Sequence, residues 1–409
     1  MPQTHREHFS AGISRFSHSD ESYAPNVVDA ILTLACDSNA SDVHLLPNDG
    51  GRSLLMRWRI DGVLHEIYRF DHAVSNIVAR LKVLAQLLTY QTDVPQEGRI
   101  RTADETVEMR VSTFPTIHGE KAVVRMFIGS SRYQNLEDLG LPEDLQSELQ
   151  RRLTLTSGTV LVTGPAGSGK TTTLYACLRE IVSRAEPSRS ICTLEDPVEA
   201  VIAGVSQSQI REAAGFDYAT GLRSLMRQDP EVIMVGEIRD RATAATVFQA
   251  ALTGQLVLSS FHAGGTCEAV ERLFDLGIEP YLLRSSLMGV LSQRLLRRLC
   301  ECAAEGRGEE DRFGLDVGLF RVSAGCERCR ETGYSGRVLL TEFLDPQAAA
   351  FSRVIGAQTD TGTLEQAAVD AGMVSAAERA CQMVEAGLTS PAEVRRVMGP
   401  AKRPTSESA

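Results

Sequence analysis

Thr159-Val-Leu-Val-Thr163 runs into Gly164-Pro-Ala-Gly-Ser-Gly-Lys-Thr171, and a helical stretch follows over 172–183. This strand, loop and helix order decides the fold. Glycines let Gly164, Pro165, Ala166, Gly167, Ser168 and Gly169 curl so that successive backbone N–H groups face one anion. Lys170 adds a point charge, and the Thr171 hydroxyl suits magnesium. Thr172 follows in the first helical turn, where the positive end of the helix favours the same anion. The plain alternative, a glycine-rich surface turn, does not call for lysine and threonine in this order after a buried strand. The stretch predicts nucleoside triphosphate binding, with ATP and Mg2+ as the ligands.

Beyond it, short apolar strands at 159–163, 190–194, 232–235 and 256–260 alternate with helical stretches at 172–183, 217–227, 240–252 and 266–276. That alternation predicts an α/β, parallel, doubly wound sheet, whose ligands gather at the carboxyl ends of the strands. Glu195, Glu237 and His262 each follow a predicted strand, as the phosphate loop does. Cleaving a phosphoanhydride needs a water aimed in line, a metal placed and charge offset. Glu195 is the candidate base for the water, Glu237 the carboxylate beside magnesium, and His262 a hydrogen-bond donor to the terminal phosphate. Each has a plainer reading when taken alone. Glu237 with Asp240 would favour the next helix's N-terminus, Asp196-Pro197 would start a turn, and a single histidine is as often structural.

With 42 Lys+Arg against 53 Asp+Glu the formal charge is -11, which weighs against a dedicated nucleic-acid binder. No run of 18 apolar residues and no leader pattern occur, so the expected location is cytoplasmic. At 409 residues two or three domains are expected. Residues 1–25 read as loose, and 26–129 as a small α+β domain. In it, Asn26 to Ser38 is helical, Leu54 to Ile60 is a strand ending in an Asp61-Gly62 hairpin turn, and Val74 to Leu88 is an amphipathic helix. Two further strands follow at Val107 to Val111 and Lys121 to Ile128. Residues 130–142 read as a linker, 143–298 as the nucleotide-binding domain, helical again from Glu279 to Arg298, and 299–345 as a cysteine-containing subdomain. Helices over 346–399 and a loose tail over 400–409 complete the chain.

The stretches Gly164–Thr173, Thr193-Leu-Glu-Asp-Pro-Val-Glu199, Arg227–Asp240 and Leu258-Ser-Ser-Phe-His-Ala263 resemble the Walker A, Asp box, Walker B and His box of the type II secretion and type IV pilus assembly ATPases. Ser41-Asp-Val-His44, Arg57–Leu64, Gln96-Glu-Gly-Arg99 and Arg110–Glu120 are similar to the domain that precedes the motor in that family. The resemblance implies a RecA-like P-loop NTPase motor domain preceded by a PAS-like domain, a homo-hexameric ring at the cytoplasmic face of the inner membrane, and a membrane platform protein as partner. It implies Glu195 as base, Glu237 as the Walker B carboxylate and His262 as the γ-phosphate sensor. Arg99 and Arg110, with Arg125 behind them, match arginines that contact nucleotide, and Arg223 and Arg227 are further candidates. An ion pair or solvated face is an equal reading for each arginine.

Cys300, Cys302, Cys326 and Cys329 form two short pairs suited to a structural tetrahedral zinc, and Cys326-Glu-Arg-Cys329 resembles half of the family's tetracysteine motif. The other half is C-x-C rather than C-x-x-C; free thiols are the alternative. Cys36, Cys177, Cys192, Cys267 and Cys381 read as buried thiols. Two departures bear on function. Gln255 stands where the family has a histidine ahead of the His-box strand, with Ala263-Gly264 in place of Thr-Asn. The further N-terminal docking domain common in assembly ATPases is not matched, since about 25 residues precede the small domain. The leading expectation is an ATP-hydrolysing motor for a secretion pseudopilus or pilus-like filament. The alternatives are an ATP-binding regulator with weak turnover and a DNA-uptake or nucleic-acid motor.

Overall fold

The computed structural model describes residues 3–17, 20–71, 74–101, 107–128, 133–184, 188–355 and 360–400. They fold into two units, one of Met1–Ser130, Arg297–Ala304 and Val322–Gly336, the other of Ser131–Leu296, Glu305–Arg321 and Arg337–Ala409. The expected domain end at Gly129 and all but Pro400 of the expected loose tail lie outside the described residues.

The first unit contains helices α1 (Gln3–Ile13) and α2 (Tyr23–Asp37), strands β1 (Ala40–Asn48), β2 (Ser53–Ile60) and β3 (Val63–Phe70), helix α3 (Val74–Leu84), and strands β4 (Gln96–Arg101), β5 (Val107–Thr116) and β6 (Gly119–Ile128). The six strands form one antiparallel sheet in the order β3-β2-β1-β6-β5-β4. The hairpin predicted at Asp61-Gly62 closes with Ile60 opposite Val63, and both turn residues have positive φ, as a two-residue hairpin of this twist demands. Val27, Val28, Ile31, Ile77, Val78 and Leu81 from the helices bury against Val43, Leu45, Met56, Trp58 and Val124 of the sheet.

The described part of residues 1–25, expected to be loose, is largely helical. Gln3–Ile13 is helical, and Phe9 is fully buried, edge-on to Trp58 at 5.7 Å and to Phe70 at 6.2 Å. Among its described side chains Phe9 and Ile13 are the buried ones, too few apolar positions to show a period among polar neighbours.

In the second unit, α4 (Glu143–Leu153) leads into β7 (Gly158–Thr163), α5 (Lys170–Arg184), β8 (Ile191–Glu195), β9 (Ser206–Gln209), α6 (Tyr218–Leu225), β10 (Val232–Glu237), α7 (Arg241–Leu252), β11 (Leu256–Phe261), α8 (Thr266–Asp275), α9 (Pro280–Ser286) and β12 (Leu287–Leu299). A short ribbon of β13 (Ala304–Glu305) and β14 (Arg321–Val322) precedes β15 (Tyr334–Leu344), and helices α10 (Ala349–Val354), α11 (Thr361–Asp370), α12 (Ala376–Glu385) and α13 (Pro391–Met398) finish the chain. The main sheet runs β15-β12-β7-β11-β10-β8-β9, with β8, β9, β10, β11, β12 and β7 parallel where they pair. The α/β expectation and its strand positions hold here.

One element differs. The helix expected to run to Arg298 stops at Ser286, and β12 lies parallel to β7 instead. Val290, Leu291, Ser292 and Gln293 are buried in succession, which a strand covered on both faces permits and an amphipathic helix does not. On its other side Gly289 leaves room for the Phe343 ring of the next strand, which a Cβ there would meet at 2.6 Å.

The cysteine stretch, expected as one subdomain over 299–345, is divided between the units. Its Arg297–Ala304 and Val322–Gly336 parts belong to the first, where the Arg330 guanidinium reaches Ser38 Oγ at 3.4 Å and Gly336 N–H donates to Asp61 Oδ2 at 3.2 Å.

Candidate functional site

Parallel pairing brings the carboxyl ends of β7, β11, β10 and β8 side by side, and the phosphate loop, His262, Glu237 and Glu195 lie at those ends. The loop Gly164 to Gly169 leaves β7 with positive φ at Gly164, Gly167 and Gly169. Gly164 must be glycine twice over, because a Cβ there would lie 2.3 Å from the Gln293 carbonyl oxygen. Gln293, on β12, is buried and fastens the loop from below. Its amide donates to Ser168 O at 2.8 Å and its carbonyl accepts from Thr173 Oγ1 at 2.9 Å. Sequence reasoning missed Gln293, and its one signal is an amide in an apolar run.

The loop fits a phosphate group. Ser168 Oγ is buried without a hydrogen-bond partner, and Lys170 Nζ is held at 2.9 Å and 3.0 Å by the carbonyls of Gly164 and Pro165, oxygens it can exchange for those of a phosphate. Burial pushes the Lys170 ammonium below its ordinary range, and the Glu237 charge pulls the other way. Thr171 and Thr172 follow at the start of α5, partly buried.

Glu237 and His262 meet. His262 Nε2 lies 3.1 Å from Glu237 Oε2, while Glu237 Oε1 takes the Arg239 guanidinium, its Nε at 2.5 Å. Arg239 also reaches Asp196 Oδ2 at 3.4 Å and stands over the Tyr218 ring at 5.8 Å. Arg239 is a second residue missed by sequence reasoning, although it lies inside the quoted Walker B stretch, two positions after Glu237. Burial and the nearby carboxylates of Glu237 and Asp196 push the Tyr218 phenol well above its ordinary range.

Glu195, at the end of β8, is 3% exposed. Its Oε1 accepts from Thr193 Oγ1 at 2.5 Å and from the Gln207 amide at 3.0 Å, and its Oε2 accepts from the Tyr175 hydroxyl. Arg223 and Arg227 are exposed on or just past α6, and the hydrogen bonds described for them stay there, to Thr220 Oγ1, Ser224 Oγ and the Arg223 carbonyl. They are not joined to Glu195, Glu237 or His262 by those bonds.

Gln255 lies at the amino end of β11, its carbonyl accepting from Gly158 N–H at 3.1 Å where β7 begins. His262 is just past the other end of the same strand, about 23 Å away for seven extended residue steps. The Gln255 departure is therefore remote from the phosphate loop. Ala263 still locks β11 to β7 through its backbone, donating to Thr163 Oγ1 at 3.0 Å.

In the first unit, Arg99 of β4 faces Arg110 of β5, which faces Arg125 of β6, which faces Asp42 of β1. The Asp42 carboxylate accepts Arg125 Nε at 3.0 Å and pairs with Arg59 Nε at 3.4 Å. A row of arginines thus crosses neighbouring strands, with the Asp42 carboxylate at its β1 end, an array suited to a polyanion.

The four cysteines also converge. All four sulfurs lie within 4.8 Å of one another, with Cys300 to Cys326 and Cys302 to Cys329 at 3.8 Å and Cys326 to Cys329 at 3.7 Å. A tetrahedron with Zn–S bonds of about 2.3 Å has edges of about 3.8 Å, so the donors fit zinc despite the C-x-C spacing. Desolvation raises the Cys329 thiol, but N–H groups of Cys326 and Gly333 and the neighbouring thiols outweigh it and bring it to about 7. Of the remaining thiols, Cys177, Cys192 and Cys267 are buried, and Cys36 and Cys381 are partly so.

These sites sit on a recognisable frame. The profile of the type II/IV secretion system protein family matches residues 17–396, and the chain belongs to that family. It is 37% identical over 394 residues to the type IV pilus assembly ATPase TfpB of Acinetobacter baylyi, covering 93% of this chain and 66% of that one. It is 41% identical over 377 residues to the type II secretion system protein HxcR of Pseudomonas aeruginosa, covering 91% and 76%. The chain thus spans about two thirds to three quarters of the length of these relatives. The fold is shared with the Legionella pneumophila ATPase DotB (TM-score 0.66, 19% identity, 91% of this chain and 95% of that one) and with the pilus retraction motor PilT bound to ADP (TM-score 0.63, 22% identity, 93% and 98%).

Proposed function

We propose that the protein is an ATP-hydrolysing motor that drives assembly of a type II secretion pseudopilus or a type IV pilus-like filament. The observation that carries this reading is the convergence of the phosphate loop, Glu195, Glu237 and His262 at the ends of four adjacent parallel strands. The named relatives of both systems agree with it. In the reaction, loop N–H groups and Lys170 take the phosphate oxygens, and Lys170 gives up its carbonyl partners to do so. Glu195 accepts a proton from the attacking water, and His262 donates to the terminal phosphate while Glu237 holds its ring. Magnesium would be held by Thr171 and, through water, by Glu237, and would offset phosphate charge.

Arg99 and Arg110 carry the coupling in this reading. Guanidinium groups on the first unit that bind phosphate make the position of that unit depend on the state of the nucleotide. The first unit is read as PAS-like, the working form as a homo-hexamer, and the partner as a polytopic inner-membrane platform protein. No helix among the described residues is long and apolar enough to cross a membrane, so attachment through that partner suits the reading. Zinc on the four cysteines is assigned a structural role, since four protein ligands leave no open position. Of the two His-box departures behind the regulator alternative, Gln255 lies at the far end of β11 from the phosphate loop, and Ala263-Gly264 stand beside His262.

Phosphate release by the purified protein with Mg-ATP tests the reading. Turnover should fall about 100-fold or more in Glu195→Gln. Wild-type release no faster than the variant's refutes it.

A further inference from the structure

We infer that Tyr175 is a positioning residue for Glu195, and that with Gln207 and Thr193 it leaves the carboxylate one acceptor site for the attacking water. The inference rests on the reading of Glu195 as the base and adds what aims it.

An ionised carboxylate offers about four acceptor positions, two on each oxygen. On Oε1, Thr193 Oγ1 at 2.5 Å and the Gln207 amide at 3.0 Å occupy both. On Oε2, the Tyr175 hydroxyl occupies one. A single position remains, on Oε2, and a water that gives its proton to Glu195 must approach there.

Tyr175 and Gln207 are committed in that direction by their own partners. The Tyr175 oxygen accepts the Glu199 N–H at 3.0 Å, so its one proton is turned toward Glu195. The Gln207 carbonyl accepts Ile202 N–H at 2.7 Å, which fixes the amide so that its N–H groups point to Glu195 and to Ala200 O at 3.0 Å. Tyr175 and Glu195 are both buried, so no solvent competes for the bond between them. Tyr175 is on α5, five residues after Lys170, so the helix that carries the phosphate-binding lysine also carries the group that aims the base.

Tyr175→Phe keeps the ring and removes the donor. Freed of one bond, the carboxylate can turn, and a displacement of about 1 Å costs up to about 100-fold in rate. The expected result is a kcat lowered about 10- to 100-fold with KM and fluorescent ATP-analogue affinity within about twofold of wild type. The double variant Tyr175→Phe/Glu195→Gln should be no slower than Glu195→Gln, because a residue acting through Glu195 adds nothing once that carboxylate is gone. A merely structural tyrosine would multiply its effect onto Glu195→Gln, and that outcome overturns the inference. So does a wild-type kcat in Tyr175→Phe while Glu195→Gln is inactive, a result that leaves the base assignment standing. Full activity in Glu195→Gln sinks the base assignment and this inference together. Gln207→Leu, which removes a donor from the other oxygen and lies outside α5, should show the same kcat-only loss; a wild-type kcat there also counts against the inference.

Discussion

Lys82 is fully buried in the first unit, its ammonium held by Glu120 Oε1 at 2.8 Å, Glu120 Oε2 at 3.0 Å and the Gln91 carbonyl at 2.8 Å. Replacing it by methionine preserves length and removes the charge. The Gln91 carbonyl keeps a donor, the Gln96 amide at 2.7 Å, so little of the cost falls there. The cost falls on Glu120, whose side chain is 8% exposed and loses its only described cation. Breaking a buried pair in this way destabilises by about 3–5 kcal/mol, whereas replacing both members with apolar groups is about neutral or stabilising. Lys82→Met should therefore lower the urea midpoint of this unit by about 2 M at a slope of about 2 kcal/mol/M. Lys82→Met/Glu120→Leu should recover most of it. Trp58, the only tryptophan in the chain, is 1% exposed in the core of this unit, so its fluorescence reports this unfolding separately from that of the second unit. A midpoint change below about 0.5 M in the single variant, or a double variant as unstable as the sum of the singles, would refute the reasoning.

Two further outcomes are expected. The protein purified in zinc-containing medium should carry one zinc ion per chain by elemental analysis, and Cys329→Ser should lose it together with part of the Trp58-reported stability; zinc content equal to that of a variant lacking all four cysteines would exclude the site. Burial pushes the Cys177 and Cys267 thiols up to about 12 from an ordinary value of 9.0. Below pH 9 both are neutral folded or unfolded, but above it only the unfolded chain ionises them, so the second unit should lose stability from about pH 9 to about pH 12. Cys177→Ala should flatten that slope in urea titrations followed by circular dichroism, and an unchanged slope would count against it.

Much of the second unit was legible because its chemistry is local. A phosphate loop needs glycine, lysine and threonine at fixed offsets after a strand, and buried parallel strands read as short apolar runs whatever they later pair with. Glu195, Glu237 and His262 were found the same way, each one or two residues past such a run. Illegible were the positions whose role depends on a distant partner. β12 looked helical because Leu287, Leu291 and Leu295, spaced four apart, satisfy either period, and only its place beside β7 made it a strand. Phe9 had no pattern to announce it, and its burial comes from aromatic rings about 50 and 60 residues away.

The sequence by itself determined that this chain binds a nucleotide on a parallel sheet, where along the chain the phosphate loop and candidate carboxylates lie, and that four cysteines come in two pairs. Spacing within a few residues fixes such things, since backbone geometry carries it directly. Tertiary structure alone decided that Arg99, Arg110 and Arg125 stand in one row, that Gln255 is remote from His262, that Gln293 buttresses the loop and that the Tyr175 hydroxyl hydrogen-bonds Glu195. Those are contacts between strands and helices, set by register and by the packing of a shared core, and neither is written in any one segment.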